Sequence, residues 1–507
     1  MADSPIRRSP GSIPLSRRQL LAGVGASAGA LLFEHEGVQA QAPANPVVFA
    51  HTTVVTHDAV HEDAALAVQA DKIVAIGPTE PILQKFPRAE VYDGRGKALL
   101  PGLINCHAHL GAVLARGFNE DFGFPNTYRL AVQPNSLLSG EESTLMVTMG
   151  ALECIRSGTT TVVEFAGNIG RSAAALAQTG LRCVFAESVS DVENPAGPVS
   201  AERLASSEAP RFSAKLREEG LRRAHDLFSS WHGTRQGRIS VFPTTALAEN
   251  CSPELLRAVR AFAEKHDLGY TIHLAQSRWE VEYMLRHHGV RPTAYLAKHD
   301  FLGPRLFAAH CRYVDDSEIA LLGQSRTIVT NQAAMAGNRG VNPPIPALRR
   351  AGCPIAQGTD NNTNDMFENM RIALVLERIR RNDDTPGLQP QPEDMLQDAT
   401  LGSAMAVRQE KMLGSLEVGK KADVLVLDTR QAHLVPAGRI VSAWIHNGQP
   451  SDIESVMIDG QFLMRNRKVL TIDEHALIKE ADTVGRRIWS RVLADSPVTV
   501  PRVTGRR

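Results

Sequence analysis

Cysteine is scarce, six in 507 residues with no two in a Cys-x-x-Cys spacing, which excludes a disulfide-built scaffold. A surplus of one charge is also missing. Lys plus Arg and Asp plus Glu both number 55, so no basic excess is available to neutralise a phosphate backbone, and a nucleic-acid partner is not expected. No apolar run reaches 18 residues, so no membrane-crossing helix is predicted and no membrane partner is expected. Solenoid-type repeats and low-complexity tracts are absent as well. What is present is ordinary for a folded protein: 43% hydrophobic and 22% charged residues, on a chain long enough for a large core. At roughly 150 residues per domain the length suggests about three units, or fewer if one is a barrel of about 250.

The first 42 residues read as an address. Ser16-Arg17-Arg18-Gln19-Leu20-Leu21 precedes the weakly apolar stretch 22–33, and small residues follow at Val38-Gln39-Ala40 and Ala40-Gln41-Ala42. Paired arginine, apolar run and small-residue site, in that order, resemble a twin-arginine export signal and predict a periplasmic location. Residues 43–100 then show short alternating runs, such as Val47-Val48-Phe49-Ala50 and Ala67-Val68-Gln69-Ala70, broken by turn residues at Asp71-Lys72 and Asp93-Gly94-Arg95-Gly96. Residues 412–470 repeat the pattern at Ala422–Asp428 and Ile453–Leu463. Neither piece has strands enough to stand alone, so the two are expected to complete one small β-sandwich. Residues 471–507 read as a helix and a basic tail.

Between the flanks, over 101–411, the period changes. Eight short apolar or β-branched runs (Leu99–His107, Thr159–Phe165, Arg182–Glu187, Ile239–Thr244, Tyr270–Ala275, Leu306–His310, Thr327–Thr330, Pro354–Gln357) alternate with stretches of helical period. The helical stretches include Glu141–Arg156, Ala214–Phe228, Pro253–Lys265, Val281–His287 and Phe367–Ile379. Strand–helix alternation implies an α/β protein with a parallel sheet, and eight units fit a (β/α)8 barrel of the TIM type. No G-x-G-x-x-G turn follows the first strand, which weighs against a dinucleotide-binding fold.

Barrel chemistry sits at the C-terminal ends of the strands. Here the first strand ends in His107-Ala108-His109, whose period-two spacing puts both imidazoles on one side. The fifth ends in His273, the sixth in His310, and the eighth runs into Asp360. Imidazoles with one carboxylate suit a divalent transition ion such as Zn²⁺, with Fe²⁺ and Mn²⁺ also fitting, and do not suit an all-oxygen calcium site.

The segments Pro101-Gly102-Leu103-Ile104-Asn105-Cys106-His107-Ala108-His109, His273-Leu274-Ala275, Ala309-His310-Cys311 and Gly358-Thr359-Asp360-Asn361 together resemble the amidohydrolase superfamily. The nearest branch is that of cytosine- and adenosine-type deaminases and triazine aminohydrolases and chlorohydrolases. Arg156-Ser157-Gly158-Thr159-Thr160-Thr161 and Leu413–Asp423 add to the likeness, which spans about 47–470. The resemblance implies one metal held by His107, His109, His273 and Asp360. His310 would lie beside the metal and polarise the attacked bond or steady the oxyanion, and Asp360 would move the water's proton. It implies a hydrolase that cleaves a C–N bond, deaminase-like, in a small heterocyclic or amide substrate. Cys106 and Cys311, beside these histidines, read as packing residues.

Two departures bear on substrate. The branch commonly reads His-x-x-Glu after the fifth strand, where this chain has His273-Leu274-Ala275-Gln276, and an amide cannot transfer a proton at neutral pH. Glu280, one helical turn on, is either a replacement or a surface ion-pair residue. After the seventh strand, Asn331-Gln332-Ala333-Ala334-Met335-Ala336 replaces a Pro-x-Ser-Asn segment that shapes the pocket. Gln276, Glu164 and Asn331 are therefore candidate substrate contacts, with Glu187 and Glu120-Asp121 as weaker ones. Two alternatives stand beside C–N hydrolysis: displacement of another leaving group such as chloride, and a periplasmic binding protein that has lost turnover. A homodimer is the default expectation.

Overall fold

The computed structural model describes residues 45–118, 120, 130, 132–195, 204–383, 385, 387–436 and 438–495. The export-signal segment 1–42, Asp121 and the tail 496–507 lie outside them.

Two sheets make the molecule. One has nine strands drawn from both flanks: β1 (Val47–Val55), β2 (Val60–Gln69), β3 (Lys72–Pro78), β4 (Glu90–Asp93) and β5 (Lys97–Pro101) from the first, and β14 (Val424–Asp428), β15 (Ile453–Ile458), β16 (Gln461–Arg465) and β17 (Lys468–Val469) from the second. The strands run in the order β17-β16-β15-β14-β5-β1-β2-β3, with β4 pairing β1. The flanks are joined where β5 meets β14 antiparallel, from Val424 opposite Pro101 to Asp428 opposite Lys97. A core of Phe49, Leu66, Ile73, Leu99, Val424, Val426 and Met457 fills the face this junction covers.

The other sheet is the barrel: β6 (Leu103–Ala108), β7 (Thr159–Ala166), β8 (Arg182–Val189), β9 (Ile239–Leu247), β10 (Tyr270–Leu274), β11 (Leu306–His310), β12 (Ile328–Asn331) and β13 (Ile355–Gln357), in sequential order. Neighbouring barrel strands pair in parallel throughout the described residues. Helices cover the outside, so both faces are buried and the strands read as continuous apolar runs rather than alternating ones. The single run Leu99–His107 is in fact two strands. Gly102 breaks it, because the chain must cross from the mixed sheet to the barrel there, and a Cβ on Gly102 would lie 2.1 Å from Thr160 Oγ1.

The covering helices start where capping residues stand. Ser139 and Glu142 form a capping box on Gly140–Arg156, and Asp315 and Glu318 form another on Asp316–Gln324. Ser252 caps Pro253–Lys265, and Ser277 caps Arg278–His288, which begins a turn before the apolar period that marks it.

The barrel closes between β6 and β13 through a parallel bridge from Ala108 to Asp360. The His107 carbonyl accepts from Thr359 N at 3.0 Å and from Asp360 N at 2.9 Å, and His109 N donates to the Asp360 carbonyl at 3.2 Å. Asn105 stitches the same seam, its amide donating to Thr359 Oγ1 at 2.8 Å and its oxygen accepting from Thr359 N at 3.1 Å.

Candidate metal centre

Five side chains from four strand ends converge inside the barrel. Donor atoms of His107, His273 and His310, and of His107, His109 and Asp360, form two groups in each of which all atoms lie within 4.8 Å of one another. His107 is central and fully buried, with ring centroids 5.0 Å from His109, 4.8 Å from His273 and 5.3 Å from His310. His109 Nε2 lies 3.4 Å from Asp360 Oδ1 and 3.4 Å from His273 Nε2.

The other ring nitrogens are anchored by backbone carbonyls. His109 Nδ1 bonds Phe165 O at 2.7 Å and His273 Nδ1 bonds Ala246 O at 2.8 Å. Each carbonyl accepts only, which fixes the Nδ1–H tautomer and aims an Nε2 lone pair inward, as metal ligation requires. Burial and the neighbouring imidazoles push His107 well below the ordinary histidine range, and burial, with His109 beside it, pushes His273 to about 3. Neutral rings crowded together are ready ligands. Both nitrogens of His107 are buried without a hydrogen-bond partner among the described residues. An uncompensated buried imidazole is costly, and a cation among the cluster is what satisfies it. The donor set fits one divalent transition metal.

His310 is oriented by a chain of hydrogen bonds. Thr330 Oγ1 donates to Ala308 O at 3.2 Å, Gln332 Nε2 donates to Thr330 Oγ1 at 2.8 Å, and His310 Nδ1 lies 3.0 Å from Gln332 Oε1. Only Oε1 is left to face the ring, so Nδ1 carries the proton. Nε2, 3.7 Å from Asp360 Oδ2, presents a lone pair. Burial and nearby positive groups keep the ring neutral. The neutral ring thus accepts at Nε2, and donates there only after taking a proton.

Strand alternation sets where two of the candidate substrate contacts lie. On β7, Phe165 faces the barrel interior, with its ring 4.3 Å from His273, so Glu164 faces the helices. Its carboxylate accepts from Leu110 N at 2.9 Å, and burial raises its pKa to about 8. Likewise Thr330 and Gln332 share the interior face, and Asn331 takes the other. The Asn331 carbonyl holds Gly358 N and Asn369 Nδ2.

Gln276 is buried beyond His273, and its side-chain amide makes no hydrogen bond among the described residues. Glu280 is neither surface-exposed nor open to substrate, since its oxygens accept from Ala275 N and Gln276 N, both at 2.7 Å. Glu187 accepts from Asn168 N and Ile169 N, and Glu120 from Gly117 N. Cys106 and Cys311 are buried, as packing residues would be.

Sequence reading passed over Gln332, Arg312 and Arg339. Gln332 stood inside the altered segment, one residue from the position singled out. Arg312 follows His310 by two residues, and Arg339 donates to Asn361 Oδ1, beside Asp360, at 2.9 Å.

Comparison with known proteins is consistent with this centre. The model of the amidohydrolase family matches residues 98–463. The 5-methylthioadenosine/S-adenosylhomocysteine deaminase of Desulforudis audaxviator is 30% identical over 437 residues, 84% of this chain and 95% of the relative. The 5'-deoxyadenosine deaminase of Methanothermobacter thermautotrophicus is 31% identical over 407 residues, 78% of this chain and 89% of the relative. Among solved structures, an adenosine deaminase from Xanthomonas campestris with bound zinc has a TM-score of 0.78 at 26% identity, covering 88% of this chain and 98% of that one. A zinc complex of atrazine chlorohydrolase from Arthrobacter aurescens has a TM-score of 0.74 at 21% identity, covering 87% and 100%, and shows the shared fold.

Proposed function

The chain belongs to the amidohydrolase family as a metal-dependent hydrolase of carbon–nitrogen bonds, and from that premise we propose that it releases ammonia from an exocyclic amino group of an adenosine-like heterocycle. The observation that carries the reading is His107, central to the cluster with both ring nitrogens buried and unpartnered among the described residues.

His107, His109, His273 and Asp360 would hold the metal. A divalent cation there supplies Lewis acidity that draws the pKa of a water from about 15.7 towards 7. Asp360 accepts the attacking water's proton and returns it to the departing nitrogen. His310 Nε2, aimed by Gln332, is a second proton acceptor 3.7 Å from Asp360 Oδ2, able to take the second proton that the attacking oxygen gives up as the carbonyl forms, while the ring nitrogen on which charge develops gains its proton from solvent. Gln276 offers an amide to the ring and no proton, so a ring nitrogen is hydrogen-bonded rather than protonated from that position.

Metal content and product release test this together. The purified protein is expected to carry about one equivalent of zinc or a similar divalent metal and to release ammonia from 5'-methylthioadenosine or 5'-deoxyadenosine. His107→Ala is expected to lose both. Metal retention by His107→Ala would overturn the ligand assignment. Chloride release from a chlorinated triazine, without ammonia release from aminopurines, would favour halide displacement.

A further inference from the structure

The turn that leaves the metal centre is held by the far end of the chain. His109, one of the cluster, is also the N-terminal cap of the short turn Leu110–Ala115, and Ala112 N donates to its carbonyl at 2.8 Å. The inner side of this turn is fixed locally. Leu110 N donates to Glu164, and a Cβ on Gly150 of the helix Gly140–Arg156 would stand 2.4 Å from the Leu110 carbonyl oxygen. The outer side is fixed by the C-terminal helix Glu474–Asp495. From it, Trp489 Nε1 donates to the Leu114 carbonyl at 2.6 Å. The indole also lies flat on the Phe118 ring, with centroids 3.6 Å apart and planes 9° from parallel.

This grip is separate from the packing that seats the helix. Ile488 and Val492 are buried and supply that packing, whereas Trp489 is half-buried and spends its N–H and its ring face on one loop 375 residues away. The hydrogen bond also decides where the turn stops. In a continued 3-10 turn Gly117 N would donate to the Leu114 carbonyl. Here the indole takes that carbonyl, and Gly117 N donates instead to Glu120 Oε2 at 2.8 Å. The charge of Glu120 reaches Arg339, which donates to Asn361 beside Asp360. The end of the turn therefore sets one wall of the metal centre's mouth.

We propose that Trp489 is a positioning residue of the active site: by taking the Leu114 carbonyl and stacking on Phe118, it ends the turn after His109 where Glu120 meets the rim of the metal centre. The consequence for substrate binding rests on the proposed C–N hydrolysis, whereas the placement of the turn does not.

Three variants of the zinc-loaded full chain test it. Trp489→Phe keeps a ring for Phe118 and loses the N–H, and Trp489→Leu loses both while keeping an apolar side chain. Arg487→Gln is the control, because it removes an ion pair between the same helix and Glu142 without touching the turn. Trp489→Leu is expected to raise the KM for 5'-deoxyadenosine at least about tenfold, with kcat lowered less and zinc content at the parent level. Trp489→Phe is expected to fall between Trp489→Leu and the parent, and Arg487→Gln to match the parent. A KM unchanged in Trp489→Leu, or raised equally in Arg487→Gln, overturns the proposal.

Hydrogen exchange separates the two levels. If no aminoheterocycle is hydrolysed, the C–N reading fails, yet exchange still reports the turn. Amides of residues 112–118 that exchange at least about tenfold faster in Trp489→Leu, and at the parent rate in Arg487→Gln, uphold the positioning role. Unchanged exchange in Trp489→Leu overturns it.

Discussion

At the scale of single residues, the cluster depends on groups that never touch the metal. Gln332 sets which nitrogen of His310 carries the proton. Gln332→Leu is therefore expected to lower kcat by about 10–100-fold, with metal content unchanged, while Gln332→Glu, still an acceptor, recovers part of the loss. Steady-state kinetics beside metal analysis checks this. A second buried pair is a liability. Burial raises both Glu249 and Glu280, Glu249 to about 7, and the charge of Glu249 raises Glu280 further. Their folded pKa values exceed the unfolded ones, so the native state keeps protons that the unfolded chain gives up. Stability is then highest at low pH on this account and falls as pH rises from about 4.5 to 7. Glu249→Gln is expected to be more stable than the parent at pH 8, by on the order of 2 kcal/mol, relative to their difference at pH 5, as read from urea unfolding. The five site residues were legible because each stands at the end of an apolar run. The facing of Glu164 and Asn331 was not legible, because a run fixes which residues are in a strand but not which parity faces inward, and one step of parity exchanges Asn331 for Gln332.

At the scale of elements, the alternation of runs and helical stretches was enough to give eight parallel strands, since each run is short and apolar and is separated from the next by a stretch of helical period. The boundary between sheets was not legible. Leu99–His107 is apolar throughout, and only Gly102 marks the crossing, through a contact with Thr160 that no local pattern reveals. Gly358 is similar. A Cβ there would lie 2.8 Å from His107 N and 2.9 Å from both its Cβ and its carbonyl oxygen. These atoms belong to backbone already bonded to Thr359 and Asp360 and have no room to give. Gly358→Ala is expected to cost roughly 1–3 kcal/mol and to weaken metal retention by displacing His107. Thermal unfolding and metal analysis of the same preparation test both effects.

At the scale of the whole molecule, the two sheets are pinned by buried charges far from the metal. Arg182, at the start of β8, donates to Asp423 and Asp459, and Arg238 donates to Asp459 at 2.9 Å. Asp423 and Asp459 flank β14 and β15, so barrel and mixed sheet meet through these ions. Arg182→Met is expected to destabilise by about 3–5 kcal/mol, because it strands buried carboxylates. Arg182→Met with Asp423→Leu is expected to recover much of that loss, measured as the shift in urea midpoint. That both flanks form one sheet followed from strand count alone, but the pins did not, since arginine and aspartate in sequence look the same on a surface as in a core.

The seam between β6 and β13 gives the metal a second role. Asn105 and Thr359, which stitch it, are 254 residues apart in the chain, so among the described strands this is the most distant and entropically dearest pairing the barrel makes. The residues that make it are also neighbours or ligands of the cation: His107, His109 and Asp360. A cation held by His107, His109 and Asp360 would therefore act as a clasp on a ring, tying the first strand to the last and coupling metal affinity to the stability of the closed barrel.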